Sequence, residues 1–269
     1  MVGRDRPLPT RHDASLAQPS RRFPVNLILF ERTEVDRPLA RSDPRAQHLC
    51  DVLRRRPGDT FDAGMVDGPR GKGTVCTIGA HELELTFVWG GPPPPGDPLT
   101  LVLGLPRPQT ARKILQEATT LGVQALHFVR TERSEPQYAQ SSLWSTGEWR
   151  RHVLAGVAQA FATRLPVVTW DRDLASVLES SRVEGSLGSP LCSIALDNYE
   201  ATVRLGACDV PPAARIWLAL GPERGWGPSD RDRLRESGFT LAHLGERVLR
   251  AETAVVASLA ILRSRAGWI

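Results

Sequence analysis

At 269 residues and 41% apolar content, the chain has room for one large unit or two modest ones around a packed core. The formal net charge is only +4, and lysine occurs only at Lys72 and Lys113, so arginine supplies nearly all the positive charge. No apolar run reaches the length of a membrane span and the opening residues lack the apolar stretch of a signal peptide, so a soluble, cytoplasmic protein is expected.

Residues 1–21 are polar, proline-containing and aperiodic, and are expected to form a disordered tail. Val25–Phe30 reads as a strand. Ser42–Leu53 reads as a short helix with Ser42 as N-cap and Pro44 tolerated in its first turn. Thr60–Met65, Gly73–Gly79 and Glu82–Val88 read as short strands separated by glycine-rich turns, the pattern of a small β-barrel. The stretch Gly68–Thr74 has the outline of a phosphate loop but fails it, because Gly73 follows Lys72 where Ser or Thr is required. Lys72 is therefore assigned to a hairpin turn.

Gly90–Pro98 carries four successive prolines, which neither a helix nor a central strand can accommodate, and marks a boundary. Beyond it, strands and helices alternate. Leu99–Leu105, Ala125–Arg130, Cys192–Asp197, Ile216–Leu220 and Thr240–Leu244 read as strands. Gln109–Leu121, Gly147–Thr163, Ser229–Ser237 and Glu252–Arg265 read as helices. The fold class is α/β, a mostly parallel sheet with helices on both faces, preceded by the small barrel. The division expected is a tail over 1–21, a barrel over 22–91, a connector over 92–98 and the α/β unit over 99–269.

Cys50, Cys76, Cys192 and Cys208 form no C-x-x-C pair and have no histidine at zinc-ligand spacing, so reduced thiols and no metal are expected. Dinucleotide, serine-hydrolase and zinc-protease motifs are absent. What remains lies near the C-terminus. Gly221-Pro222-Glu223-Arg224-Gly225-Trp226-Gly227 follows one predicted strand. Leu244-Gly245-Glu246-Arg247-Val248-Leu249-Arg250-Ala251-Glu252-Thr253-Ala254 joins the next strand to the last helix. Ordinary turns would explain either alone. Together, at the carboxyl ends of strands in a parallel sheet, they mark a ligand site.

These two loops resemble the RsmE branch (ribosomal RNA small subunit methyltransferase E) of the SPOUT methyltransferases. Its motifs are G-P-E-G-G-F/W and L-G-x-R-V/I-L-R-x-E-T-A. Weaker similarity extends upstream, through Thr131-Glu132-Arg133-Ser134, Lys113 with Leu121-Gly122-Val123, and Trp149 with Gln159 to Pro166. It reaches His48-Leu49, Val52-Leu53-Arg54 and Gly58-Asp59 in the N-terminal part. Three positions depart from the family pattern: Arg224 for a glycine, Ala158 for a glutamate and Ala162 for an arginine.

The resemblance implies a PUA-like barrel, a trefoil-knotted SPOUT domain, and a homodimer that methylates uridine N3 of small-subunit ribosomal RNA with S-adenosyl-L-methionine. Alternatives are a SPOUT enzyme acting on another RNA and a non-catalytic RNA-binding module. By motif position the cofactor would meet Leu196 with Asp197 and Asn198. It would meet Gly221, Pro222, Glu223 and Gly225 in the second loop. In the third it would meet Leu244, Gly245, Val248, Leu249 and Arg250, with Thr253 and Ala254 beyond. Loss of the N3 proton leaves charge on the ring oxygens, and Arg250 is the candidate to stabilise it. Glu223 either accepts that proton or braces its loop; bracing is favoured, since a solvated carboxylate is a weak base. His243 and His48 read as packing residues. Arg247 would contact RNA or pair with Glu252, and Trp226 would pack in the core or stack on a base. The expected RNA contacts are Arg54, Arg55 and Arg56, extended by Arg112, Lys113, Arg133 and Arg164.

Overall fold

The computed structural model describes residues 27–186 and 190–269. The tail expected over residues 1–21 and the first residues of the first predicted strand, Val25 and Asn26, lie outside the described residues. Among the described residues, no helix is long and apolar enough to cross a membrane.

The N-terminal part is a curled five-stranded sheet of β1 (Ile28–Phe30), β2 (Leu39–Ala40), β3 (Thr60–Met65), β4 (Arg70–Ile78) and β5 (Glu82–Trp89), in the order β1-β3-β4-β5-β2. Among the described residues, only the β1–β3 pairing of this sheet is parallel. Phe30, Phe61, Val75 and Leu83 fill its interior, with Phe87 packed edge-on against Phe30. The helix expected over 42–53 divides into α1 (Pro44–Gln47) and a π-helical turn over His48–Val52. Its N-cap is Asp43 rather than Ser42, because the Asp43 carboxylate accepts the Arg45 N–H at 2.8 Å. Lys72 is not in a turn: it lies mid-strand opposite Asp62, and their side chains pair at 2.7 Å.

The second sheet has seven parallel strands: β6 (Asp97–Gly104), β7 (Val123–Arg130), β8 (Val167–Asp173), β9 (Leu191–Leu196), β10 (Val203–Arg204), β11 (Arg215–Leu220) and β12 (Thr240–His243). Their order is β10-β12-β9-β11-β6-β7-β8. Between them run α2 (Pro108–Thr120), α3 (Ser142–Ser145), α4 (Glu148–Gln159), α5 (Leu174–Gly185) and α6 (Pro228–Glu236), and α7 (Ala251–Arg265) follows the last strand.

Successive side chains of a strand point to opposite faces, so an unbroken apolar run is buried twice. Leu99, Leu101 and Leu103 of β6 join Ile216, Leu218 and Leu220 of β11 against α2, α4 and α7. Val102, Trp217 and Ala219 face the opposite layer, with α5 and α6. β8 and α5 were not expected from the sequence. β8 is an edge strand of mixed polarity, and the cue for α5 is one residue: Asp173, whose carboxylate caps Ser176 N–H at 2.8 Å.

From β12 the chain returns across the carboxyl ends of β9 and β11 to reach α7, which packs against α2. The two sheets are also sewn together directly. Leu27 N–H donates to Ala158 O at 3.1 Å, Leu165 N–H to Asp67 Oδ1 at 2.8 Å, and Arg70 Nη1 to Phe161 O at 3.0 Å.

His127 of β7 stacks on Trp217 and lies 2.9 Å from Thr169 Oγ1. Burial, aided by Arg172, pushes its pKa down from 6.5 to about 4. The unfolded chain therefore takes up a proton that the native ring refuses. The resulting stability is complete above pH 6.5 and is lost as pH falls toward 4. Replacing His127 by glutamine should flatten this acid limb by about 2–3 kcal/mol, read from denaturant titrations between pH 7 and 4. Parallel limbs for variant and wild type would refute it.

Candidate active site

Three loops meet at the carboxyl ends of the central strands β9, β11 and β12 and enclose a cleft of about 240 Å³. Adjacent parallel strands present their following loops side by side, so residues far apart in sequence converge there.

The first wall is Leu196–Tyr199, after β9. It is fixed from below by Asp197, only 4% exposed. Asp197 Oδ1 accepts the N–H groups of Tyr199 at 2.8 Å and Glu200 at 2.6 Å, and Oδ2 accepts Arg231 Nε at 2.8 Å. Burial opposes its charge, but the Glu200 N–H, the Arg231 guanidinium and the Tyr199 N–H outweigh burial, and the carboxyl is held below its ordinary range. The Arg231 guanidinium also sits over the Tyr199 ring at 5.3 Å.

The second wall is Leu220–Gly225. Gly225 N–H closes a tight turn onto Pro222 O at 2.7 Å, and Gly225 has φ +70°, where a side chain would be strained. Gly104, at the end of β6, supports this wall: a Cβ there would lie 2.3 Å from Pro222 Cδ and 2.6 Å from Pro222 N. Gly104→Ala should therefore push the 221–225 turn into the cleft. For S-adenosylmethionine, the ligand the resemblance implies, a loss of affinity of roughly tenfold is expected, as befits overpacking against backbone, measured by calorimetric titration; unaltered affinity would contradict this support. Glu223 Oε1 accepts the Arg107 backbone N–H at 3.0 Å, tying the turn to the start of α2. Trp226 does not stack on a ligand. It is fully buried in the layer of α5 and α6, and its Nε1–H donates to Leu196 O at 2.9 Å, linking the first two walls.

The third wall is Leu244, Arg247, Val248 and Leu249, continuing to Ala251 and Ala254 on α7. Gly245 makes the turn at φ +108°, its N–H donating to His243 Nδ1 at 3.1 Å. Gly245, Arg250 and Thr253 do not line the cleft itself. Arg250 instead lines a second, wider cavity of about 630 Å³ with Arg107, Gln109, Thr110 and Lys113. Glu223, Val248, Leu249 and Ala251 border both spaces.

Arg224, one of the departures from the family motif, belongs to the second wall and its side chain is held by an ion pair. Arg224 Nη1 pairs with Glu135 at 3.1 Å, and Arg133 Nη1 donates to Arg224 O at 3.0 Å.

A family model described as an RNA methyltransferase domain matches residues 93–263. A ribosomal RNA small subunit methyltransferase E of Treponema pallidum is 31% identical over 255 residues, covering 90% of this chain and 92% of the relative. The chain belongs to the ribosomal RNA small subunit methyltransferase E family. The member from Synechocystis is also 31% identical, over 87% of this chain and 75% of its own length. The crystal structure of the family member from Neisseria gonorrhoeae, bound to S-adenosyl methionine, superposes with a TM-score of 0.69 at 23% identity, covering 88% of this chain and 97% of that one. The fold is thus the SPOUT fold, preceded by a curled five-stranded sheet as in PUA-like modules.

The basic residues singled out in the sequence separate into two groups. Arg112 is held by Glu148 through two bonds of 2.9 Å, and Lys113 pairs with Glu252 at 3.0 Å. Arg112 therefore works as an α2–α4 strut, its charge answered by a carboxylate. Lys113 also takes the carboxylate offered as a partner for Arg247. Arg133 is engaged with the second wall. Arg54, in the left-handed region at φ +52°, and Arg56 are exposed after the π-helical turn, while Arg55 Nε is buried without a hydrogen-bond partner among the described residues. Arg164 is exposed in the segment joining α4 to β8.

Tyr199, Arg231 and Arg107 were missed by the sequence reading. Only Tyr199 had a cue, its position two residues beyond the Leu196-Asp197 motif. The partners of the other two lie 34 and 116 residues away.

Proposed function

We propose that this family member transfers a methyl group from S-adenosyl-L-methionine to N3 of a uridine in small-subunit ribosomal RNA, acting as a cytoplasmic homodimer. The observation that carries the reading is the convergence of three loops on one cleft whose second wall is a tight turn between Gly221 and Gly225. The cleft suits the cofactor: Gly221 and Gly225 let the second wall fold tightly on itself, a Cβ on Gly221 meeting the Gly225 backbone at 2.9 Å, and Leu220, Leu244 and Leu249 provide apolar surface for a purine. Gly221, Pro222 and Gly225 with Leu196, Leu244, Val248, Leu249 and Ala254 are the proposed cofactor contacts. Arg54, Arg56 and Arg164 are the proposed contacts to RNA phosphates. The return of the chain from β12 to α7 is where the trefoil crossing of the family would be tied. The proposed division is a barrel over 22–91, a connector over 92–98 and the methyltransferase unit over 99–269.

When bound, the cofactor supplies an electrophilic methyl on a sulfonium. The protein's task is to hold the uracil N3 in line with that methyl and to ease loss of its proton. The wider cavity beside the cleft is the space proposed for the acceptor nucleotide, because the two share a wall. Arg250 there is assigned to the charge that spreads onto the ring oxygens as N3 loses its proton. Glu223 is assigned as a brace, since its Oε1 is already taken by the Arg107 N–H.

Glu223→Gln preserves that acceptor and should retain methylation within about threefold, whereas Glu223→Ala, losing a hydrogen bond to a charged group, should weaken cofactor binding by about tenfold. A glutamine variant as inactive as one lacking a base would reverse the assignment. The reaction itself is tested by incubating small ribosomal subunits with the protein and cofactor, then analysing nucleosides by mass spectrometry. Formation of 3-methyluridine is expected; methyl at another atom would redirect the substrate assignment.

A further inference from the structure

A third cavity, of about 240 Å³, lies away from the methyl-transfer cleft, where the proline connector passes the turn that ends α4. One side is formed by the rings of Pro93, Pro94 and Pro95, another by Phe161. Phe161 has φ +57°, in the left-handed region that a residue with a side chain enters only at a cost. Helix termination alone is commonly served there by glycine, so an aromatic at this position calls for a reason. The floor includes Thr119, only 5% exposed, whose Oγ1 has no hydrogen-bond partner among the described residues. A Cβ on the neighbouring Gly156 would meet the Thr119 Cβ and methyl at 2.9 and 3.2 Å, so the methyl faces α4. Buried hydroxyls are rarely left unpaired, so one beside a cavity calls for a partner. Two arginines stand at the rim. Arg70 uses Nη1 on Phe161 O, leaving its Nε and Nη2 free of hydrogen bonds among the described residues. Arg164 has no ion-pair partner among the described residues.

We infer that this cavity receives a single unpaired nucleobase of the RNA, stacked on Phe161, hydrogen-bonded by the Thr119 hydroxyl, its phosphate met by Arg164 and Arg70. Aromatic faces, apolar walls and guanidinium groups are the chemistry that recognises unstacked bases. The cavity lies between the two sheets, so a base seated in it would set the position of the strand relative to both. The inference rests on the RNA reading above but not on the cofactor assignment.

The test uses the full chain and a fluorescein-labelled single-stranded RNA decamer of mixed sequence, followed by anisotropy over a range of salt, with calorimetric titration of S-adenosylmethionine alongside. Arg164→Ala should weaken RNA binding by roughly fivefold and lower the salt slope by about one, as removal of one phosphate contact does. Phe161→Gly, which also relieves the backbone, should weaken it by roughly tenfold, the scale of a lost stacking platform. Thr119→Val should change which base is preferred. Cofactor affinity should stay at the wild-type value throughout. Wild-type RNA affinity and salt slope in both Arg164→Ala and Phe161→Gly would overturn the base pocket while leaving the methyltransferase reading intact. Failure of the wild-type chain to bind the decamer would overturn the pocket as well. Failure to bind the cofactor, with RNA binding retained, would instead strike the reading in the preceding subsection. Arg164→Ala alters an exposed side chain, so its result does not depend on refolding a repacked core.

Discussion

Replacing Arg231 by methionine is expected to destabilise the protein by about 3–5 kcal/mol, the cost of leaving a buried carboxylate without its counter-charge. Side-chain exposure is 5% for Arg231 and 1% for Asp197, so water cannot substitute for the missing guanidinium. The pair also carries the first wall of the cleft, because the same carboxylate organises the Tyr199 and Glu200 N–H groups. Chemical denaturation of Arg231→Met should show the full loss. The double variant Asp197→Asn/Arg231→Met should recover part of it, since asparagine keeps an acceptor for those amides without burying a charge. An additive double variant would mean that the two residues do not act as a pair. The pH course is fixed by sign. Asp197 is held below its ordinary pKa in the native state, so its contribution is complete above the normal aspartate range and is lost as pH falls through the native value.

Arg250→Ala is expected to lower kcat by about 100- to 1,000-fold, the range for removing one stabiliser of developing negative charge. Cofactor affinity should change little, because Arg250 lines the wider cavity and not the cleft. The separation between the two readouts is what discriminates. If affinity for the cofactor and kcat drop together, the side chain is holding the third wall; if neither changes, another group carries the charge. Arg250→Lys should restore part of the rate, since it returns a cation without the planar geometry.

Sequence reading succeeded where the physics is local. The run Leu99–Leu105 reads as a strand because every second residue faces one helical layer and the others face the next. The two C-terminal loops were legible because glycines at 221, 225 and 245 are demanded by turn geometry and close packing. Local rules also misled. Ser42 is a good N-cap type, but the chain caps one residue later, where Asp43 also binds the Arg45 guanidinium. The edge strand β8 lacks the period that a half-buried strand would show. For Trp226 the sequence left packing and stacking both open, because it lies among glycines; the layer of α5, itself missed, decides for packing. Long-range pairs such as Arg107 with Glu223 and Lys113 with Glu252 left no trace in the sequence, since nothing in one partner's neighbourhood announces the other. Arginine counts marked Arg112 and Arg164 alike; only their surroundings distinguish a strut from an exposed cation.

The return of the chain from β12 across two earlier loops has a kinetic corollary. The final wall exists only once α7 has docked on α2, a contact between residues well over a hundred positions apart. Such closures are paid in loop entropy and come late in folding. Competence to hold a ligand should therefore be the last property the molecule acquires and the first it surrenders. Added ligand would slow the escape from the native state and leave the rate of reaching it untouched.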